Sequence, residues 1–467
     1  MNTGAFIKLF KTNGSHYFYD VNKNSVVKTN KQVWDLLQSN SSYNEDTANE
    51  YEAIKTLKEY GFLSSNKVKE IVHPTDEIIE DYIQNKVEMI TLQVTQQCNF
   101  RCEYCAYSGG YENRSHQQKT MTFELAKKGI DYLFAHSSER NEVSIGFYGG
   151  EPLLEYDLIH KSIEYINENI SGKTVRYSIT TNATLLTSEM VDFFNKNNVN
   201  LVISLDGPKE VHDKSRRFAG NNSGTFDKVI KNINMINYNF PDYFKQISIN
   251  AVVNPLNDVT CVYDFFNNFD TIKELSVTSS EIADFYSKNE VSFNNRYYEQ
   301  VEYEYFKLLL VELNELEEKY VSKLILRSLF DLESMYKYMK TTHKLPEKAH
   351  HAGPCIPGTQ RLFLTADGDF FPCERVSETS PVSKLGNIEN GLDVEKVKEV
   401  LNIGKLSEES CKNCWAIRFC NLCVASVDDG YNLSNELKGK RCIESRGRAE
   451  NMLKDICTLK EFGYQFA

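Results

Sequence analysis

The chain has 467 residues, with 53 Lys and Arg against 65 Asp and Glu and a formal net charge of −12. That balance disfavours a nucleic-acid partner held through phosphate contacts, and the length exceeds one ordinary core, pointing to two or three domains. With 41% hydrophobic and 25% charged residues and no run of eighteen apolar ones, the composition is that of a soluble globular protein without a membrane span. The opening MNTGAFIKLFKTNG lacks the basic and apolar regions of a signal peptide, so the expected location is the cytoplasm. Twelve cysteines in such a chain read poorly as a disulfide framework, because the cytosol keeps thiols reduced. All but Cys261 and Cys457 fall into two clusters with metal-site spacing, and those two read as buried apolar thiols.

Residues 1–75 form the first unit. Phe6–Phe10 and Tyr17–Val21 alternate like two strands around a polar turn, and Ser25–Val27 starts a third. Lys31–Gln38 and Glu52–Tyr60 follow as amphipathic helices, the second stopped by Gly61. Strands followed by helices predict a winged-helix-like domain. Its DNA-binding use is disfavoured by ten Lys, no Arg and thirteen acidic residues over 1–90. A peptide-binding version offers a strand edge to an added strand. Residues 76–89 lie in an acidic, Pro-punctuated stretch that reads as a linker, partly helical.

Strands then alternate with helices over 90–285. The strands are Ile90–Thr95, Val143–Phe147, Val175–Thr180, Leu201–Ser204, Ser248–Val253 and Glu274–Thr278. Between them lie helices at Thr122–His136, Leu158–Ile170, Ser188–Asn197, Thr225–Ile236 and Thr260–Phe269. Six such repeats require a parallel sheet with right-handed crossovers, an α/β fold. Residues 286–349 read as a helical bridge, rich in Tyr, Glu and Leu. Residues 350–467 begin loop-rich with closely spaced cysteines, a pattern that needs metal staples for stability.

The run VTQQCNFRCEYCAYSGG carries Cys98, Cys102 and Cys105 at C-x3-C-x2-C spacing. Three thiolates can hold three irons of a 4Fe–4S cube and leave the fourth open. The buried strand Thr91–Thr95 ends just before Cys98, and Tyr104 places an aromatic before the third cysteine. A zinc knuckle or a disulfide pair is the alternative, but structural zinc closes with four ligands and no fourth Cys or His is near in sequence. On these residues the chain resembles the radical SAM superfamily. The resemblance implies a partial (β/α)6 barrel and S-adenosylmethionine (SAM) bound to the open iron. Reductive cleavage of SAM then gives a 5′-deoxyadenosyl radical that abstracts hydrogen from substrate.

Further motifs sit at strand ends, where barrels of this kind gather their catalytic residues. Tyr148–Pro152 (YGGEP) matches the family's motif for the SAM amino group, with Gly149 and Gly150 giving backbone contacts, Glu151 charge and Pro152 the turn. Asn182 in TTNATLL matches a cleft position, Ser204 in SLDGP the ribose or carboxylate site, and Arg216 a clamp on the carboxylate. Tyr104 is counted with these cofactor-binding positions. Asp206 reads as a turn former before Gly207, His212 as structural, and Asn254 as a weaker cleft candidate.

The second cysteine set comprises Cys355, Cys373, Cys411, Cys414, Cys420, Cys423 and Cys442, with Arg361–Thr365 and Asp369–Phe371 as a hairpin around ADGD. It resembles the SPASM domain, which carries auxiliary 4Fe–4S clusters. That resemblance implies one cluster on Cys411, Cys414, Cys420 and Cys442 and a nearer one on Cys355, Cys373 and Cys423, three clusters in all with the first. The chain departs from the pattern in two places. Cys420 and Cys423 are separated by two residues rather than three, and the stretch before Cys355 is EKAHHAGP, without a further cysteine. The nearer cluster then has an open iron or uses His350 or His351. Paired CxxC motifs also bind zinc, which stands as the alternative. Glu374, after Cys373, matches an acidic active-site position and could accept a substrate proton, or could simply pair with Arg375.

Together these features resemble maturases of ribosomally made, cysteine-rich peptides (the sactipeptide and ranthipeptide type). The implied reaction installs Cys sulfur-to-carbon thioether crosslinks, with the precursor's leader held by the N-terminal domain. An external electron donor such as flavodoxin or ferredoxin is implied, and neither nucleic acid nor membrane is a partner. The alternatives are an anaerobic sulfatase maturase forming formylglycine, and a non-catalytic, metal-stapled peptide-binding protein.

Overall fold

The computed structural model describes residues 4–39, 48–112, 114–282, 284–288, 292–293, 295–339, 344–351, 353 and 355–466. Its first element is an antiparallel meander of β1 (Ile7–Lys11), β2 (His16–Asp20) and β3 (Ser25–Thr29), in that order across the sheet. Period-two alternation gives the sheet two apolar faces. One face packs Ile7, Leu9, Phe18 and Val27 against Val33, Leu36, Leu37 and Ile54 of the helices Lys31–Ser39 and Ala48–Glu59. The other packs Phe10, Tyr17, Tyr19 and Val26 against Leu332, Met335, Ile456 and Cys457. On its outer side β3 has no paired strand among the described residues.

Beyond the short β4 (Glu70–Ile71), the stretch expected as a linker holds the helix Ile79–Asn85, whose Ile79 and Ile83 are buried in the main core. Six parallel strands follow: β5 (Met89–Thr95), β6 (Glu142–Gly149), β7 (Thr174–Thr181), β8 (Asn200–Ser204), β9 (Ser248–Val253) and β10 (Ser276–Glu281). Each pairs in parallel with the next, the order six strand–helix repeats require. β10 falls two to three residues later than its sequence pattern suggests. Most of its residues are exposed, so hydrophobicity marks it weakly.

The C-terminal part does not stand apart from this sheet. β11 (Lys348–Ala349) pairs with β4, while β12 (Leu362–Leu364) joins β5 in parallel. β13 (Asp369–Phe371), β14 (Gly386–Asn387) and β15 (Gly391–Leu392) continue it antiparallel, giving ten strands in one sheet. The helices Asn295–Glu312, Leu326–Tyr338 and Asn435–Glu461 complete the body. Among the described residues no helix is long and apolar enough to cross a membrane.

Ile90 and Leu92 point outward at Gly129 of the helix Phe123–Ala135. The alternate residues of β5 therefore face inward. Thr91 meets Gly146 and Ser178 there, and Gln93 pairs in register with Tyr148. Small polar side chains thus line the interior, where a sealed barrel would carry layers of Val, Ile and Leu.

Candidate functional site

The loop carrying Cys98, Cys102 and Cys105 is fastened at both ends. Gly150 N–H donates to Thr95 O at 2.9 Å and Glu151 N–H to Gln97 O at 2.8 Å, so the YGGEP backbone lies directly on the residues before Cys98. A Cβ on Gly149 would stand 1.9 Å from Thr95 O, and one on Gly150 2.0 Å from Gln97 O. The close approach these glycines permit is to the cysteine loop's own stem. On the far side, Arg101 N–H donates to Arg217 O (2.9 Å), Glu103 N–H to Ser215 O (3.0 Å), and Ala219 N–H to Asn99 O (2.8 Å). Phe100 N–H donates to Cys98 Sγ at 3.3 Å. The three thiols lie within electrostatic reach of one another; burial pushes Cys98 up and Cys102 up to about 12.

Glu151 is 1% exposed and accepts from Leu153 N–H (3.0 Å), Thr181 Oγ1 (2.6 Å) and Asn182 N–H (2.8 Å). Burial raises its pKa against those three bonds. Its carboxylate therefore caps the turn begun by Pro152 and joins the ends of β6 and β7. Asn182 Nδ2 donates to Asn99 Oδ1 (2.8 Å), while its Oδ1 accepts from Thr184 N–H (3.0 Å) and Oγ1 (2.7 Å). That chain ties the end of β7 to the residue after Cys98.

Ser204 ends β8, and two residues on stands the main departure from the sequence reading. Asp206 is no mere turn former. It is 2% exposed and takes Arg216 Nε (2.8 Å) and Nη2 (3.1 Å) as a bidentate pair, together with Val252 N–H (3.0 Å) and the Tyr104 hydroxyl. Burial works against its charge, but Arg216 and these bonds outweigh it and hold the carboxyl below the ordinary range. Arg216 is thus already paired, with its guanidinium 5.4 Å from the Tyr104 ring centroid and close to Cys102. His212 is structural as expected. Its Nδ1 accepts from Asp206 N–H (3.3 Å), Nε2 faces Thr225 Oγ1 (3.0 Å), and burial lowers its pKa to about 4. Asn254 is a loop turn whose Oδ1 accepts from Leu256 N–H at 2.9 Å.

Glu374 pairs with Arg361 Nη1 at 3.0 Å; the sequence had offered Arg375 as its partner. Tyr148 lies within electrostatic reach of both Glu374 and Cys105. A buried network missed by the sequence reading closes this side. Arg114 Nε meets Glu378 at 2.8 Å, Arg114 Nη2 donates to the carbonyls of Glu374 and Val376, and Gln93 Nε2 donates to Glu378 (2.8 Å) and Tyr107 Oη (2.9 Å).

Residues 92–260 match the model of the Radical SAM superfamily. This segment has the radical SAM fold. The chain is 33% identical over 189 residues to a cysteine-type anaerobic sulfatase-maturating enzyme of Clostridium novyi, covering 39% of this chain and 49% of that one. It is 26% identical over 243 residues to the radical SAM cyclopropyl synthase TigE of Paramaledivibacter caminithermalis, 48% of each. The chain spans about half the length of the curated relatives it matches. Native anSMEcpe, solved with AdoMet and with AdoMet plus the Kp18Cys peptide, shares the fold at TM-score 0.56. The match has 22% identity over 79% of this chain and 99% of that one with AdoMet, and 21% over the same shares with the peptide.

A radical SAM domain implies SAM and a 4Fe–4S cluster, and the donor set fits. All twelve cysteines are free of disulfides, so each thiol is available as a ligand. A cube spreads its thiolates over separate irons. Cys411, Cys414, Cys420 and Cys442 lie within electrostatic reach of one another, and burial pushes Cys420 up to about 11. Cys373 and Cys355 both act on Cys423, so neighbouring Cys420 and Cys423 diverge into different groups.

Both histidines lie within electrostatic reach of Lys438. His350 is committed, Nε2 accepting from Gly404 N–H (2.8 Å) and Nδ1 facing His351 O (3.1 Å). His351 is 3% exposed, with the Cys420 backbone beside its ring. Ala352 and Pro354 of the stretch before Cys355 lie outside the described residues.

Proposed function

We propose that this protein is a radical SAM maturase of a ribosomally made, cysteine-rich peptide, installing Cys sulfur-to-carbon thioether crosslinks. The observation that carries the reading is the pairing of the Cys98–Cys105 loop at the end of β5 with a second set of seven cysteines, from Cys355 to Cys442, in a chain whose residues 92–260 match the Radical SAM superfamily. Cys98, Cys102 and Cys105 would hold the SAM-binding cluster. Cys411, Cys414, Cys420 and Cys442 would hold one auxiliary cluster, and Cys355, Cys373 and Cys423 a second, three-ligand cluster suited to a substrate thiolate. When bound, SAM on its cluster supplies hydrogen-atom abstraction at carbon.

The chain's own residues do the rest. Glu151, Asn182 and Asn99 fix the strand ends around the cysteine loop. Asp206 locks Arg216 and Tyr104 beside Cys102, so the SAM contacts proposed at Ser204 and Arg216 would be made by preset groups. Glu374 would take the substrate proton. The unpaired side of β3 would receive the leader as an added strand in a winged-helix-like unit, and a flavodoxin or ferredoxin in the cytoplasm would deliver electrons. The likeness to anSMEcpe, solved with a bound peptide, supports a peptide substrate.

The likeness to a sulfatase-maturating enzyme supports a second reading, oxidation of one Cys or Ser to formylglycine. Anaerobic reconstitution with SAM, reductant and a cysteine-rich peptide encoded beside the gene separates them. Loss of two hydrogens per crosslink supports the thioether reading; an aldehyde at a former Cys or Ser supports the other.

A further inference from the structure

Lys438 sits in the first turn of the helix Asn435–Glu461 and is 0% exposed. Lysine is almost never fully buried unless it is paired. Here the partners of Nζ are Ser407 Oγ at 2.8 Å, Gly404 O at 3.1 Å and Cys411 Sγ at 3.4 Å. Three acceptors match the three N–H bonds of an ammonium, and none of them is a carboxylate. Ser407 Oγ itself lies 3.4 Å from Cys411 Sγ, so lysine, serine and thiol form one closed triangle. Lys438 also acts on Cys442, one helical turn further along.

A buried cation is costly without a counter-charge. The groups within its reach that a bound cluster would hold as thiolates are Cys411 and Cys442, two members of the four-cysteine group. Resting on the reading that this group holds a 4Fe–4S cluster, we propose that Lys438 is that cluster's built-in counter-ion and N–H···S donor. As a positioning residue it sets the reduction potential. A cube held by four thiolates is anionic and gains one more negative charge when an external low-potential donor delivers an electron. A fixed positive charge and a hydrogen bond to ligand sulfur favour the more negative state, so Lys438 raises the potential.

The test uses the full chain, reconstituted anaerobically, with iron counted per chain and each cluster titrated by EPR-monitored redox potentiometry. Lys438→Met should keep the wild-type iron count and shift one midpoint to more negative potential, leaving the others in place. Lys438→Arg, which keeps charge and donors, should stay close to wild type. Cys414→Ala identifies the cluster by removing the signal that shifts. Unchanged midpoints in a fully loaded Lys438→Met would overturn the proposal. Should that variant shed iron, Lys438→Gln retains donors without charge: a negative shift supports the assignment and an unchanged midpoint rejects it. If replacing Cys411, Cys414, Cys420 and Cys442 together by Ala loses no iron, the four-cysteine cluster itself is absent, and the underlying reading fails separately from the role of Lys438.

Discussion

Gly150→Ala addresses how the barrel holds its first cysteine. The added Cβ would stand 2.0 Å from Gln97 O, 2.5 Å from Gln97 C and 3.1 Å from Cys98 N, all backbone atoms that no rotamer change can move. Relief requires the Gln97–Cys98 segment to retreat by more than an ångström, a shift of roughly that size following from ordinary contact distances near 3.5 Å. The two hydrogen bonds from Gly150 and Glu151 to Thr95 and Gln97 are broken or stretched in the process. Overpacking of this kind costs about 1–3 kcal/mol, and each lost bond adds about 1 kcal/mol. Metal-ligand distances tolerate only about 0.2 Å, so displacement of Cys98 should matter more to iron binding than to folding. We expect a folded variant whose iron count falls by one cluster and whose 5′-deoxyadenosine formation is abolished. Gly220→Ala is the control, since a Cβ there meets nothing within 4 Å. A Gly150→Ala protein with full iron and wild-type SAM cleavage would refute the reasoning.

Other predictions follow from buried polar groups. Asp206→Asn leaves the Arg216 guanidinium buried without its bidentate partner and should lower stability by about 3–5 kcal/mol, read from urea midpoints of the apoprotein. His212 is fully buried and its pKa is lowered from 6.5 to about 4, so the unfolded chain takes up its proton first as pH falls. Its contribution is complete above 6.5 and is lost on acidification towards 4, amounting to about 2 kcal/mol less at pH 5 than at pH 7. Comparing wild type with His212→Gln at both values should show that difference in slope; parallel curves would reject it. Glu374→Gln should keep its iron count and SAM cleavage while slowing peptide modification by about 100-fold or more. An unchanged product rate would remove Glu374 from the chemistry.

The parts legible in the sequence were those encoded locally. Cys98, Cys102 and Cys105 are specified by spacing over eight residues, and β5 to β9 by short apolar runs between helical periods. β10 was misplaced because an exposed strand carries little hydrophobic signal. The polar network that shapes the cleft was hidden for another reason. Gln93 meets Glu378 across 285 positions, and Lys438 meets Cys411 across 27. Only the tertiary fold brings such pairs together, and no periodicity announces them. Asp206 illustrates the ambiguity: an Asp before Gly is the usual sign of a turn, and only its burial against Arg216 shows it to be the anchor of the cleft. The glycines of YGGEP read as backbone contacts for the cofactor, and the structure adds that they make room for the stem of the cysteine loop.

The central claim, a peptide maturase that forms thioether crosslinks, meets its most direct test in the mass of the peptide. Incubated anaerobically with the reconstituted enzyme, SAM and a low-potential reductant, the cysteine-rich precursor should lose two hydrogens per crosslink. Fragmentation should place each loss between a Cys and an acceptor residue, and the thiols involved should resist alkylation. An unchanged core peptide, or a single Cys or Ser converted to an aldehyde, would contradict it.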